Sequence, residues 1–566
     1  MTRASHPPVV RSGRRRFLAD AAAASASLSV LEWLGFFRDH GVPGTAKDWG
    51  LASARAAEET PADDRFLVYW FAEGGWDSYS LFSPVHTPNH SALSIPANTL
   101  YPSPPWSQQF YRAQGYGVSP SLPPPSTVSG IEHGYLAAPG RSLLADMAVV
   151  SSHRGNLFHS GGRFDCHYGM YTRSLNAQRQ PDERTVLQAF CEAKGANFLL
   201  PHVSWHRWLA DGELDLGQYP EGTGYYEKLG PAYAHTIYGR TPRDLKARLG
   251  SLGDLATQSR RRLLRSYTDD LHARFLADRD GPSVRAFSSA LSIHRQLADR
   301  GAVFNLNTLF DDPDLRAEFG VRDGDDQTTA TVVNGMPARS KDTPHIRVQT
   351  MMAYELMRAK ISCGLWLENR EVRGFDSHRG RRDVLDADSN SDQRTVIADE
   401  IWNPLSRFVA RLKSTEMPGA PGVSMYDRTT IVLCSEMGRA ISGNVDAILA
   451  NTALPDDVRY AQILDQDVCQ HWHVNGVAFL GGNVRGGTQF GRVGSETLES
   501  IPTMPDGTLD PAFDPGTGQL RPGQQKSAAS FVSDPGHVYA TALALSGVSP
   551  AGRGRNTRPA LPFVQR

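Results

Sequence analysis

The sequence predicts an α/β fold: a mostly parallel sheet with helices on both faces. Three observations predict it. Short runs dense in β-branched and aromatic residues recur along the chain, as in RFLVYWFA from Arg65, LLADMAVVS at 143–151, TTIVLC at 429–434 and VNGVAFL at 474–480. Longer segments with helical spacing of apolar residues lie between them. The strand-like runs stop at glycine pairs or polar residues: Gly74-Gly75, Ser435-Glu436 and Gly481-Gly482. Strands that alternate with helices must cross over, and a crossover connection gives parallel neighbours.

The first 58 residues read as an address rather than a fold element. Arg14, Arg15 and Arg16 precede an alanine-rich apolar stretch in RRRFLADAAAASASLSVL. A basic segment before a short apolar one is an export signal, and the paired arginines resemble the twin-arginine type. This predicts export to the periplasm or the extracellular space through the twin-arginine machinery. The stretch is too short for a confident membrane span, and no later run supplies one, so no integral span is expected in the mature chain. Eight basic and five acidic residues fall in this segment, and the whole chain has a formal net charge of -1, so the rest is mildly acidic. That balance gives no whole-chain attraction to nucleic acid.

Residues 59–566 then form the predicted α/β domain. The first run from Arg65 is a buried strand ending in a glycine turn. Residues 102–130, rich in Pro and Ser, read as loop. Leu143–Ser151 is a second strand. Residues 184–197 and 241–300 read mostly as helix, with Thr241-Pro242 a good helix start because Thr caps free amides and Pro suits the first turn. The block at about 184–320 looks like a helical insertion or cap. Residues 348–367 read as a helix that runs into a strand, and 394–413 as an amphipathic helix. Two more strands follow at 429–434 and 474–480, then loop over 500–530 and a helix at 537–546.

The five cysteines, Cys166, Cys191, Cys363, Cys434 and Cys469, show neither close pairing nor metal-ribbon spacing. Cys363 and Cys434 sit in apolar runs and read as small core residues. One bridge stays open in an oxidising compartment.

Open α/β sheets bind ligands beyond the carboxyl ends of their strands. Asp77 follows the first strand in GGWDSYS, and Glu436 follows TTIVLCS. Asp376 and His378 lie in GFDSH, and His471 and His473 in QHWHVNG, before a strand. Imidazole nitrogens and carboxylate oxygens from four distant segments suit a divalent cation such as zinc or manganese. Taken singly, each also reads as a turn residue, a helix-start carboxylate or a hydrogen-bonded surface histidine. The weight lies in their comparable places.

At these residues the chain resembles the domain of unknown function 1501 family. LVYWFAEGGWDSYSLFSP resembles the family's first strand and Gly-Gly-x-Asp turn. FDCHYGMYT, GFDSH, DRTTIVLCSEMGRA, HWHVNGVAFLGGNVRGG and HVYATALALSGV match later pieces in order, over about residues 64–560. The resemblance implies an alkaline phosphatase-like, doubly wound sheet related to sulfatases, with metal ligands at its C-terminal edge. Carried over, Asp77, Asp376, His378, Glu436 and His471 are the candidate ligands of one or two divalent ions (Zn, Mn, Mg or Ca). Ser160, Ser78 or a metal-bound water is the nucleophile on a small anionic phosphate or sulfate ester. Arg163, Arg439 or Arg485 holds the substrate oxygens, because a guanidinium fork fits them.

The chain departs from the family at points that matter. Gly162-Arg163-Phe164 stands where members often carry Ser-His-Phe. Gln470 and Trp472 flank His471 where Asp and Gly are usual, and Met437 follows Glu436 where alkaline phosphatases have Asp-His. These changes support a second expectation, a non-catalytic binding or assembly protein on a degenerate hydrolase scaffold. An oxidoreductase has little support, since neither a dinucleotide fingerprint nor iron–sulfur spacing occurs.

Overall fold

Seven strands form the central sheet of the computed structural model: β1 (Phe66–Phe71), β2 (Met147–Arg154), β3 (His202–Ser204), β4 (Gly364–Glu368), β5 (Thr429–Cys434), β6 (Val474–Gly481) and β7 (Thr488–Phe490). Their order across the sheet is β7-β2-β6-β5-β1-β4-β3. β1 pairs in parallel with β5 and β4, β3 with β4, and β7 with β2, whereas β6 runs antiparallel to β5 and β2. Six strands therefore point one way, and the sheet is mixed but mostly parallel. The structure describes residues 64–76, 78, 81–84, 126–156, 159–171, 184–195, 198, 201–205, 312–326, 332–333, 336–337, 344–369, 396–441, 451–455, 458, 469–494, 499–552 and 558–566. All of them belong to one unit, Ala56–Lys246 with Leu306–Arg566.

The central strands are buried along their whole length, FLVYWF in β1 and TTIVLC in β5. Continuous apolar runs of this kind are what a strand covered on both faces needs. Tyr69 of β1 stacks on Trp366 of β4 at 4.7 Å, a cross-strand aromatic pair that fixes the β1–β4 register.

Among the described residues, six α-helices pack in two groups. α1 (His159–Tyr168), α2 (Val186–Lys194) and α6 (Pro535–Leu545) contact one another, as do α3 (Pro313–Phe319), α4 (Ile346–Arg358) and α5 (Asn403–Ser414). Their ends follow local chemistry. Thr185 and its N3 partner Gln188 make a reciprocal capping box on α2, and Asp534 does the same with His537 on α6. Asp312 caps α3, whose C-terminus stops at left-handed Gly320.

His345 caps α4 and belongs to a buried ion network. Its Nε2 lies 2.8 Å from Glu400, and Arg347 sits 2.8 Å from Asp325 and pairs with Asp399. Burial works against a charged imidazole, but the Glu400 and Asp399 carboxylates outweigh it and push the His345 pKa up to about 9. For Asp399 and Asp325 burial is likewise overcome, by bonds to His345 and Arg347 and to Arg347 and the Arg322 amide respectively, and both carboxyls are held below their usual range.

Several segments differ from expectation. The strand expected at 143–151 begins at Met147, because Tyr135–Asp146 forms a 3₁₀ segment. Within the expected helical block, 202–204 is a sheet strand, too short to show an alternating pattern. Residues 241–300 and the export segment 1–58 lie outside the described residues. No described helix is long and apolar enough to cross a membrane.

Candidate functional site at the rim of the sheet

The strand directions bring one rim together. The C-terminal ends of β1, β2, β4 and β5 meet there with the start of β6, the one reversed strand. β1 runs out through Ala72 and Glu73 into Gly74 and Gly75, whose φ angles of 116° and 75° are open to glycine at little cost. The Gly74 amide then donates to Glu436 Oε1 at 2.8 Å.

Glu436 is 1% exposed and sits at the centre of this rim. Its Oε1 also meets Nδ1 of His159 at 2.8 Å. Its Oε2 lies 3.0 Å from Ser435 Oγ, which is itself 2.6 Å from the Ala72 carbonyl. The Asn156 amide donates to the Glu436 carbonyl at 3.1 Å, tying the end of β2 to the end of β5. His159 opens α1, and its side chain is 25% exposed against 1% for Glu436. The imidazole is thus the outward member of the pair and the carboxylate the inward one. A ring that donates from Nδ1 to Glu436 has its lone pair on Nε2, which is itself buried.

A second cluster lies one helical turn along α1. Arg163 donates through Nη1 and Nη2 to the two oxygens of Glu368, both at 2.9 Å, and Nη2 reaches Glu73 at 2.6 Å. Glu368 ends β4, and Glu73 follows β1. The Glu73 amide donates to Asn369 Oδ1 at 2.6 Å. The Gln349 side chain of α4 receives the Glu368 amide at 2.9 Å and donates to its carbonyl at 2.6 Å. On the next turn, Asp165 accepts from Asn156 Nδ2 at 2.8 Å, and His167 stacks on Trp366 at 3.7 Å.

The sequence-predicted site residues fall as follows. Glu436 is at the heart of the rim. Asp77, Asp376 and His378 lie outside the described residues. Arg439 and His471 are register partners in a two-stranded ribbon, Gly438–Ile441 with Cys469–Trp472, that starts two residues after Glu436. Ser160 is the second residue of α1. Ser78 is fully buried and donates to the Val474 carbonyl at 3.0 Å, a backbone-bracing contact. Arg163 differs from its expected role. Its fork is occupied by Glu73 and Glu368 and it is 5% exposed, so it neutralises carboxylates rather than facing a ligand. Arg485 lies on the far side, its amide donating to the Val564 carbonyl after β6 has crossed the sheet.

Position 162 is tightly enclosed. A Cβ on Gly162 would lie 2.7 Å from the Glu436 Cβ and 2.9 Å from its carbonyl oxygen. The close approach of α1 to the end of β5 leaves no volume for serine there.

Among the described residues no three potential ligands cluster. The His159–Glu436 pair nevertheless has the arrangement in which a carboxylate orients an imidazole whose other nitrogen binds a cation. Glu436, with both oxygens already engaged, is placed as the orienting carboxylate.

Glu73, His159 and Glu368 were not read from sequence as site residues. The signal was present: each glutamate closes a buried apolar run, as Glu436 does. No family model matches the chain, and no curated protein matches it.

Proposed function

We propose that the chain is an exported hydrolase of phosphate or sulfate esters, on an alkaline phosphatase-like, doubly wound scaffold. The His159–Glu436 pair at the carboxyl rim of the sheet is the observation that carries this reading. His159 accepts a proton from the attacking group or contributes Nε2 to a divalent ion. Glu436 holds the ring's orientation and stabilises its positive charge. A bound ion would supply polarisation of the ester oxygen. Asp77, three residues beyond Gly74, with Asp376, His378 and His471, are the further ligands the family resemblance implies. The twin-arginine signal directs the folded protein to the periplasm or beyond.

A test uses protein purified without chelator, assayed on aryl phosphates and aryl sulfates with zinc, manganese, magnesium and calcium in turn. Turnover is expected, falling on the order of 100-fold or more in His159→Ala. Glu436→Gln, which keeps the shape but loses the charge, is expected to fall less. Absence of turnover with every ion, in a folded protein that binds none, supports the binding-protein reading instead. That alternative draws on Arg163, whose guanidinium is engaged by Glu73 and Glu368.

A further inference from the structure

Away from the rim, two buried thiols share one acceptor. Cys191 lies in α2 and Cys363 immediately precedes β4. The Cys191 sulfur is 3.3 Å from the Pro201 carbonyl oxygen, and the Cys363 sulfur is 3.5 Å from the same atom. The Cys191 thiol is also the neighbour that, with burial, raises the Cys363 thiol. The residue after Cys363 is glycine, and a Cβ on Gly364 would lie 2.5 Å from the Cys191 sulfur. Glycine weakens a strand interior, and here it admits the sulfur of α2 to the strand's start.

We propose that Cys191 and Cys363 are the two halves of a disulfide, held side by side as thiols until a disulfide oxidant reaches them. One thiolate attacks a sulfur of a low-molecular-weight or protein disulfide and expels its first thiol. The second cysteine sulfur then attacks the mixed disulfide and expels the other. A Cys191–Cys363 bond forms, two electrons pass to the donor, and the two cysteine protons end on its two thiols. Pro201 and Cys363 precede β3 and β4, so the bond lies at the opposite edge from His159 and Glu436. It closes a loop from residue 191 to residue 363 and acts on stability rather than on the rim.

A second pair of buried thiols, Cys166 and Cys434, are neighbours, and Cys434 bears on the titration of Cys166. The Cys166 sulfur faces the Ser435 carbonyl at 3.9 Å. That pair has no glycine opening and no shared close acceptor. Burial, with Cys191 beside it, pushes the Cys363 thiol well above its ordinary value. Thiolate is therefore scarce in the folded chain, and oxidation is slow and speeds up with pH.

The full chain is treated with oxidised glutathione at about pH 8.5 while folded, and in parallel refolded from urea in a glutathione couple. Tryptic mapping is expected to join the peptide 185–194 to 361–370 in both. The thermal midpoint is expected to rise by several degrees over the reduced protein, and the rise should vanish in Cys191→Ser and in Cys363→Ser. Recovery of both peptides as free thiols from both treatments overturns the proposal. So does a bridge from either cysteine to a different partner.

Discussion

Arg163 pairs with two carboxylates at the rim. It lies between two glutamates that are 2% and 0% exposed and that come from different strands. Removing it takes a cation away from two buried carboxylates. Arg163→Ala is expected to lower stability by about 3–5 kcal/mol, read as a shifted urea midpoint. Arg163→Lys restores charge but not the two-pronged geometry, so partial recovery is expected. A midpoint unchanged by the alanine variant would show that the triad contributes nothing net. Among individual residues, legibility from sequence was uneven. Glu436 stood out because it ends the strongest strand. Glu73 and Glu368 occupy equivalent places, but beside the aspartates and histidines their type suggests metal less readily. The role of Gly162 was invisible, because only the approach of α1 to β5 reveals that the position has no room.

At the level of elements, the long apolar strands and the amphipathic α5 were readable because their patterns are strong. α4 and β4 were foreseen as one helix running into a strand, and the break falls at Ala359–Cys363. Three-residue β3 carries too little pattern, and its pairing with β4 is a tertiary choice. The cap of α4 gives a pH prediction. His345, raised to about 9 from an ordinary value near 6.5, contributes its full stabilisation below about pH 6.5 and loses it as pH rises through about 9. Asp399 and Asp325, depressed, contribute above the usual carboxylate range and lose that contribution as pH falls through their lowered values. The ring's Nδ1 also receives the Arg347 amide at 3.2 Å, so charging the ring gives up that cap contact and trims the gain. Denaturant midpoints measured from pH 5 to pH 9.5 should decline above about pH 6.5. His345→Gln, which keeps a polar cap without a titrating ring, should flatten that decline. A wild-type profile already flat there would contradict the assignment.

Across the molecule as a whole, the α/β class and the rim's location followed from strand ends in the sequence, whereas the reversal of β6 did not. VNGVAFLGG looks the same whichever way it runs, and only its pairing between β2 and β5 sets the direction. Because β6 is reversed, it begins at the rim where its neighbours finish, and the ribbon 438–441 with 469–472 leaves and returns beside Glu436. In that antiparallel register Ile441 stands opposite Cys469. Adjacent antiparallel ends are what a two-residue Asn-Gly turn joins. Replacing 442–468 by such a turn should leave the far-ultraviolet circular dichroism and the cooperative thermal transition of the sheet intact; a collapsed transition would count against it. With the transition intact, the ribbon's two ends would act as a socket beside Glu436, where a segment of about 27 residues is exchangeable for another.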